Sequence, residues 1–284
     1  MMISFKTLLL LTFVPLAFTS CNSEKKHHEK KLSEETMDAY SVRYDLENPS
    51  QKIKLPNSLQ EISGLSFYKT NQLACINDEQ GKVFIFDLDK KEISEKIPFG
   101  KTGDYEGIEV VGNEVFVLKS NGMIKGFKIG EAFERQIDCT NPDVLEYEGL
   151  SYDPTTDNLL LAAKVRIKDK DDKKTIYAYS FKNQVLSKYI SIPEEAVKTK
   201  IGGKLFRPSG IAIHPLTQEI FIVASQGKKL LILSKDGEKE VLIDLNSSLF
   251  RQPEGICFTP NGNLYISSEG DGGDGYILAF DYKK

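Results

Sequence analysis

Three glutamates and two serines share one repeated setting: each directly precedes a glycine that opens an apolar run. They are Ser63, Glu106, Glu148, Ser209 and Glu254, within Glu61-Ile62-Ser63-Gly64-Leu65, Asp104-Tyr105-Glu106-Gly107-Ile108, Glu146-Tyr147-Glu148-Gly149-Leu150, Arg207-Pro208-Ser209-Gly210-Ile211 and Gln252-Pro253-Glu254-Gly255-Ile256. Carboxylates and hydroxyls are hard oxygen donors. If a fold gathers three such carboxylates within about 6 Å, each pair repels by roughly 3 kcal/mol at an effective dielectric near 20. A hard cation such as calcium, which takes about 6–8 oxygen ligands, offsets that repulsion. Lysine does the same without a metal.

Downstream of each phrase lies a second polar position, occupied by Asp78-Glu79, Lys119, Lys164, Ser225 and Glu269. Lys119 and Lys164 are spaced to pair with Glu106 and Glu148, whereas Glu254 meets only further acids, Glu269 and Asp271. On the residues alone, ion pairing and metal binding stand level. Glu61, Asp104 and Glu146 stand two residues earlier and read as turn caps through carboxylate-to-amide hydrogen bonds. Arg207 could meet an anionic ligand or a local carboxylate. His214 precedes Pro215 at the far end of an apolar run and reads as a turn residue, so a Ser-His-Asp triad is not expected. A carboxylate acting as base on metal-bound water remains the hydrolytic option.

The elements that must position these groups are legible in the spacing. The repeat glycines are 43, 42, 61 and 45 residues apart, and each interval holds several short apolar runs separated by turn residues. A period in the forties with four strands per repeat is the pattern of a β-propeller, here all-β and five-bladed, with four-stranded antiparallel blades. The fifth repeat supplies only three strands before the chain ends. An open ring would leave unpaired edges, and Gln51-Lys52-Ile53-Lys54-Leu55 alternates like an outer strand. It is expected to complete the last blade. The long third interval reflects a charged extension at 165–174 and a second stretch at 193–207.

Before the propeller domain, residues 51–284, the chain divides in two. Lys6 and the apolar run 7–18 lead to Thr19-Ser20-Cys21. The run is shorter than the roughly 20 residues needed to span a bilayer, and residues 1–20 resemble a bacterial lipoprotein signal peptide. That resemblance implies lipidation at Cys21 and stable attachment through several acyl chains. Residues 21–50, with Glu24-Lys25-Lys26-His27-His28-Glu29-Lys30-Lys31, read as a flexible charged tether. Three further cysteines, Cys75, Cys139 and Cys257, match no zinc spacing, and Cys75 and Cys257 lie in apolar runs. A net charge of −4 with no basic stripe gives no footprint for nucleic acid.

The ordered set of five phrases, together with Tyr147-Glu148-Gly149-Leu150-Ser151-Tyr152-Asp153-Pro154 and the three-strand finish, resembles the SdiA-regulated family of extracytoplasmic propellers, distantly similar to NHL-repeat proteins. The resemblance implies a five-bladed propeller with bound calcium and no established reaction. It departs from the family pattern at Lys119-Ser120, Lys164 and Ser225-Gln226, where acidic pairs are expected. The resulting expectation is a lipid-anchored protein of the bacterial cell envelope, on the outer membrane or facing the periplasm. It would bind calcium near the channel through Ser63, Asp78, Glu79, Glu106, Glu148, Ser209, Glu254 and Glu269. Lys119, Lys164 and Arg207 would meet a small-molecule ligand or an envelope protein. The alternative is a metal-dependent hydrolase of an ester, lactone or phosphate.

Overall fold

Short apolar runs broken by Asn-Gly, Asp-Gly and Asp-Pro turns fold locally into antiparallel meanders, because each turn returns the chain beside the strand just completed. A computed structural model describes residues 43–132, 134–166, 173–197, 206–270 and 272–283. After β1 (Gln51–Lys54), blade 1 comprises β2 (Ile62–Lys69), β3 (Gln72–Asn77), β4 (Lys82–Asp87) and β5 (Glu92–Pro98). Blade 2 comprises β6 (Tyr105–Val111), β7 (Glu114–Lys119), β8 (Met123–Lys128) and β9 (Glu134–Asp138). Blade 3 is β10 (Val144–Asp153), β11 (Asn158–Arg166), β12 (Lys173–Ser180) and β13 (Val185–Pro193). Blade 4 is β14 (Arg207–Ile213), β15 (Ile220–Gln226), β16 (Lys229–Leu233) and β17 (Lys239–Asp244). Blade 5 has β18 (Gln252–Phe258), β19 (Leu264–Glu269) and β20 (Tyr276–Phe280), in the order β1-β20-β19-β18.

The fifth blade is therefore completed from the N-terminal side, as the sequence predicts. Gln51, Lys52, Ile53 and Lys54 lie opposite Ala279, Leu278, Ile277 and Tyr276 in antiparallel register. Ile53 and Leu55 are buried and join a core shared between blade 5 and blade 1. Four other apolar clusters fill the remaining blade-to-blade interfaces. Middle strands such as β3 and β16 are buried along their length, because both faces pack on neighbouring blades. Outer strands such as β5, with its run Glu92-Ile93-Ser94-Glu95-Lys96, stay exposed and charged, which blunts the blade edge against unwanted pairing.

The fold begins earlier than the expected tether boundary at residue 50. Tyr44 is buried against Phe221, Phe258, Tyr282 and His214. Its hydroxyl donates to the Gly262 carbonyl at 2.6 Å, and Arg43 pairs with Glu219 at 2.9 Å. Residues 43–50 thus pack on blades 4 and 5 instead of tethering them. The extension at 165–174 lengthens β11 and β12, and its tip, like the signal segment, Cys21 and His27-His28, lies outside the described residues. The second stretch, 193–207, opens with a helical turn, Glu194–Val197.

At the axis the inner strands meet backbone to backbone, which is why the repeated residue is glycine. A Cβ on Gly107 would fall 2.9 Å from the Leu150 nitrogen, and one on Gly255 would fall 2.9 Å from the Leu65 nitrogen. On Gly210 it would lie 2.3 Å from the Glu254 carbonyl oxygen. Each blade leans on the next, and the fifth leans back on the first. Unusual backbone conformation is the lesser cause: of the five, Gly149 alone has positive φ, at +86°.

Candidate functional site

Every inner strand is bulged at its repeat phrase. Register with the second strand slips between Ile62 and Gly64, Tyr105 and Gly107, Tyr147 and Leu150, Pro208 and Gly210, and Pro253 and Ile256. The extra residue in each bulge is the Ser or Glu before the glycine, and the bulge re-aims its side chain toward the axis. The five glycines, with Ser63, Glu106 and Ser209, line a constriction of about 10 Å3, room for roughly one water.

The two serines hold the ring together. Ser63 donates its hydroxyl to the Tyr105 carbonyl of the next blade at 2.7 Å, and Ser209 does the same to the Pro253 carbonyl at 2.6 Å. Both carbonyls sit two residues before a repeat glycine, so this is one structural device used twice. Ser209 also accepts the Ser225 amide at 3.1 Å.

The glutamates form an electrostatic cluster. Glu148 is buried and takes an ion pair from Lys164, whose ammonium also lies 3.6 Å from Glu146. Burial raises the Glu148 carboxyl to about 7 even though Lys164 opposes the shift. Burial also works against the Lys164 ammonium, but Glu148 and Glu146 outweigh it and its proton is held more tightly than usual. Glu106 is pushed up to about 9, first by burial, then by the Glu148 charge and a hydrogen bond shared with Asp104. Glu254 is half-buried. Burial, then Glu148 and Glu269, holds its carboxyl far above the ordinary range, with Ser225 and Lys164 opposing.

Around the rim, Asp78 is raised to about 6 by burial and by Glu61, Glu269 and Glu79, and its buried Oδ1 has no hydrogen-bond donor. Glu269 accepts the Gln252 amide at 2.6 Å, while Glu79 stands exposed. Asp104 accepts the Ser120 hydroxyl and Glu146 faces Lys164, side-chain contacts in place of the carboxylate-to-amide caps expected of the earlier acidic set. Among the described residues, no three His, Cys, Asp or Glu side chains are already gathered as a metal-binding group.

Of the three expected ligand-contacting cations, Lys164 meets Glu148 while Lys119 lies elsewhere. Lys119 does not pair with Glu106; its ammonium lies 5.3 Å from the Tyr105 ring centre, at a groove between blades 1 and 2. That groove, about 330 Å3, is lined by Phe99, Lys101, Tyr105, Lys119, Met123 and Lys125 among others. The geometry is local: Gly103 packs against the Lys119 stem, and Tyr105 is fixed by donating its hydroxyl to the Lys101 carbonyl at 2.7 Å. Arg207 sits at the start of β14, paired in register with Gln226.

His214 is structural, as its position before Pro215 suggests. Its Nδ1 accepts the Leu216 and Thr217 amides at 3.2 and 3.1 Å, and its Nε2 meets the Tyr44 hydroxyl at 2.8 Å. Burial lowers its pKa to about 4, and it lies away from the carboxylate cluster. Cys75, Cys139 and Cys257 are buried free thiols.

The fold and channel define a five-bladed β-propeller with an acidic channel mouth. The SdiA-regulated family model matches residues 37–271, and the chain belongs to that family. None of the curated proteins compared matches the chain. A luciferin-regenerating enzyme aligns with TM-score 0.50 at 12% identity, over 82% of this chain and 95% of its own. A nidogen/laminin complex chain aligns with TM-score 0.49 at 17% identity, over 78% and 76%. A virginiamycin B lyase from Staphylococcus aureus gives 0.46 at 13%, over 82% and 74%. At such identities the likeness is one of fold.

Proposed function

We propose that this protein is a membrane-tethered, extracytoplasmic propeller whose acidic channel mouth binds calcium and which serves as a ligand- or protein-binding module. The observation that carries the reading is an imbalance of charge: among the described residues, Glu106, Glu146, Glu148 and Glu254 face a single ammonium, that of Lys164. The donors fit calcium in kind, being carboxylates and an orphaned buried Asp78 oxygen. Glu106, Glu254, Asp78 and Glu269 are the residues that would hold the ion, with Ser63 and Ser209 serving the ring. Calcium would supply the positive charge that these carboxyls now replace by keeping protons.

Calorimetric titration with calcium should give a saturable heat and a rise in melting temperature that EDTA reverses. Glu254→Gln should weaken binding by about tenfold or more, the loss of one charged ligand being worth at least about 1.4 kcal/mol. Absence of both heat and thermal shift would end the calcium reading. The lysine-flanked groove beside Lys119 is the place we assign to an anionic small molecule or an acidic partner segment.

A second reading, metal-dependent hydrolysis, draws on Glu148, whose value near 7 suits a general base. Turnover of ester, lactone or phosphate substrates that disappears in Glu148→Gln would place it first.

The anchor reading rests on residues 1–21, outside the described structure. Cys21→Ser should move the protein from the detergent phase to the aqueous phase on phase partitioning; unchanged partitioning would remove lipidation.

A further inference from the structure

The end of the channel opposite the acidic mouth opens into a second cavity, of about 240 Å3. Its wall follows the same repeat. The residue two places after each repeat glycine contributes to it, giving Ser66, Glu109, Ser151, Ala212 and Cys257 from the five inner strands. Phe67, Tyr152 and Phe258, their chain neighbours, complete an aromatic rim. Only Glu109 in this ring carries a carboxyl.

No hydrogen bond or ion pair satisfies that carboxyl among the described residues. Two hydroxyls, those of Ser66 and Ser151, share the cavity wall with it, but neither is hydrogen-bonded to it. From β2, the Ser66 hydroxyl accepts the Val110 amide at 3.2 Å. From β10 come Ser151 and Tyr152, whose hydroxyl donates to Asp157 at 3.0 Å. β14 presents Ala212 and Ile213, both apolar, and β18 presents Phe258 and Cys257, a thiol kept neutral by burial. The Glu109 side chain is half-buried, and its carboxyl, without a protein partner among the described residues, opens onto a ready-made cavity.

We propose that this cavity binds a small organic ammonium ion, which donates to the Glu109 carboxylate and rests its hydrocarbon body against Phe67, Tyr152 and Phe258. The chemistry separates the possible occupants. A lone carboxylate with aromatic walls falls far short of the oxygen set that calcium requires. An anion would face the carboxylate directly. An ammonium needs one strong acceptor and is attracted to aromatic faces.

The unliganded carboxyl, raised to about 8 by burial alone, holds a proton at neutral pH. Binding an ammonium must expel that proton. Affinity should therefore rise about tenfold per pH unit up to about pH 8 and level off above it.

The test is calorimetry with benzylammonium chloride at about pH 6.5, 7.5 and 8.5, in two buffers of different ionisation enthalpy. The expected result is a saturable heat, nearly one proton released per site at the lowest pH, and affinity climbing about tenfold over the first step. Benzyl alcohol should give no binding, and Glu109→Gln should weaken benzylammonium at least about tenfold and abolish its pH dependence. If that variant fails to fold, proton release by the wild-type protein decides the matter alone. The proposal is overturned by no saturable heat, by pH-independent binding, by equal binding of benzyl alcohol, or by heat persisting in Glu109→Gln because the cation gathers at the acidic mouth.

Discussion

Deleting residues 51–54 should cost this propeller most of its stability, with a melting temperature at least about 10 °C lower or no folding at all. The strand they form is the fourth of blade 5, and without it β20 becomes a bare edge. Three terms add. Ile53 and, through displacement, Leu55 leave a core where each is buried, at about 1.5–3 kcal/mol apiece. Hydrogen bonds flanking the clasp, from Ser50 to the Ala279 carbonyl and from Leu55 to the Gly275 carbonyl, both 2.8 Å, are lost with it. The third term is closure: the same residues link the end of the chain to blade 1, so removing them frees two blades together. A loss of about 4 kcal/mol or more, at about 2–4 °C per kcal/mol for a chain of this size, gives the stated shift. Ile53→Ala, a milder cut into the same contact, should lose about 2–5 kcal/mol. Urea unfolding followed by circular dichroism measures both. If the deletion unfolds like the intact chain, the ring is not held by this strand.

How far the sequence reveals this arrangement depends on what each residue's partner is. The blades are legible because a strand and its turn are local, and the glycine phrase marks each inner strand without reference to anything distant. The clasp is legible because three strands at one end demand a fourth. Lys164 is legible too, since β11 runs back antiparallel to β10 and returns it to Glu148. Lys119 occupies the same place in blade 2 but turns to Tyr105, beside Gly103, where a Cβ would crowd both the Tyr105 ring and the Lys119 stem. That choice rests on a loop conformation which spacing does not encode. Ser63 and Ser209 look like ligands in a list of polar residues. Only the neighbouring blade's carbonyl, close in space and more than forty residues away, shows them as ring fasteners. Tyr44 hides in a polar stretch, and one aromatic among charges carries no periodic signal. Glu109 was readable in principle: aligning the five repeats at their glycines places it alone among Ser66, Ser151, Ala212 and Cys257.

Lys164→Met should destabilise the fold by about 3–5 kcal/mol at about pH 8.5 and by much less at about pH 5.5. Replacing the ammonium with an apolar chain of similar length keeps the packing and leaves Glu148 buried beside Glu106, Glu146 and Glu254 without a counter-charge, the costly way to break a buried pair. The pH dependence follows from the direction of the shifts. Glu106, Glu148 and Asp78 are all raised in the folded state, to about 9, 7 and 6, so the folded chain holds protons that the unfolded chain releases. Their contribution is fully present below the ordinary glutamate range near pH 4.5 and is lost as pH rises through those values. Wild-type protein freed of metal should therefore melt at lower temperature at about pH 8.5 than at about pH 5.5. The variant should show a steeper fall, because without Lys164 the Glu148 carboxyl holds its proton to still higher pH. Calcium, if it occupies this mouth, competes with the same ammonium, so the variant should bind it more tightly and regain more stability from it than wild type does. Thermal unfolding at both pH values, with EDTA and with calcium, measures all of this. A pH-independent loss would mean that Lys164 acts only through packing, and equal calcium affinity in the two proteins would separate the ion from this cluster.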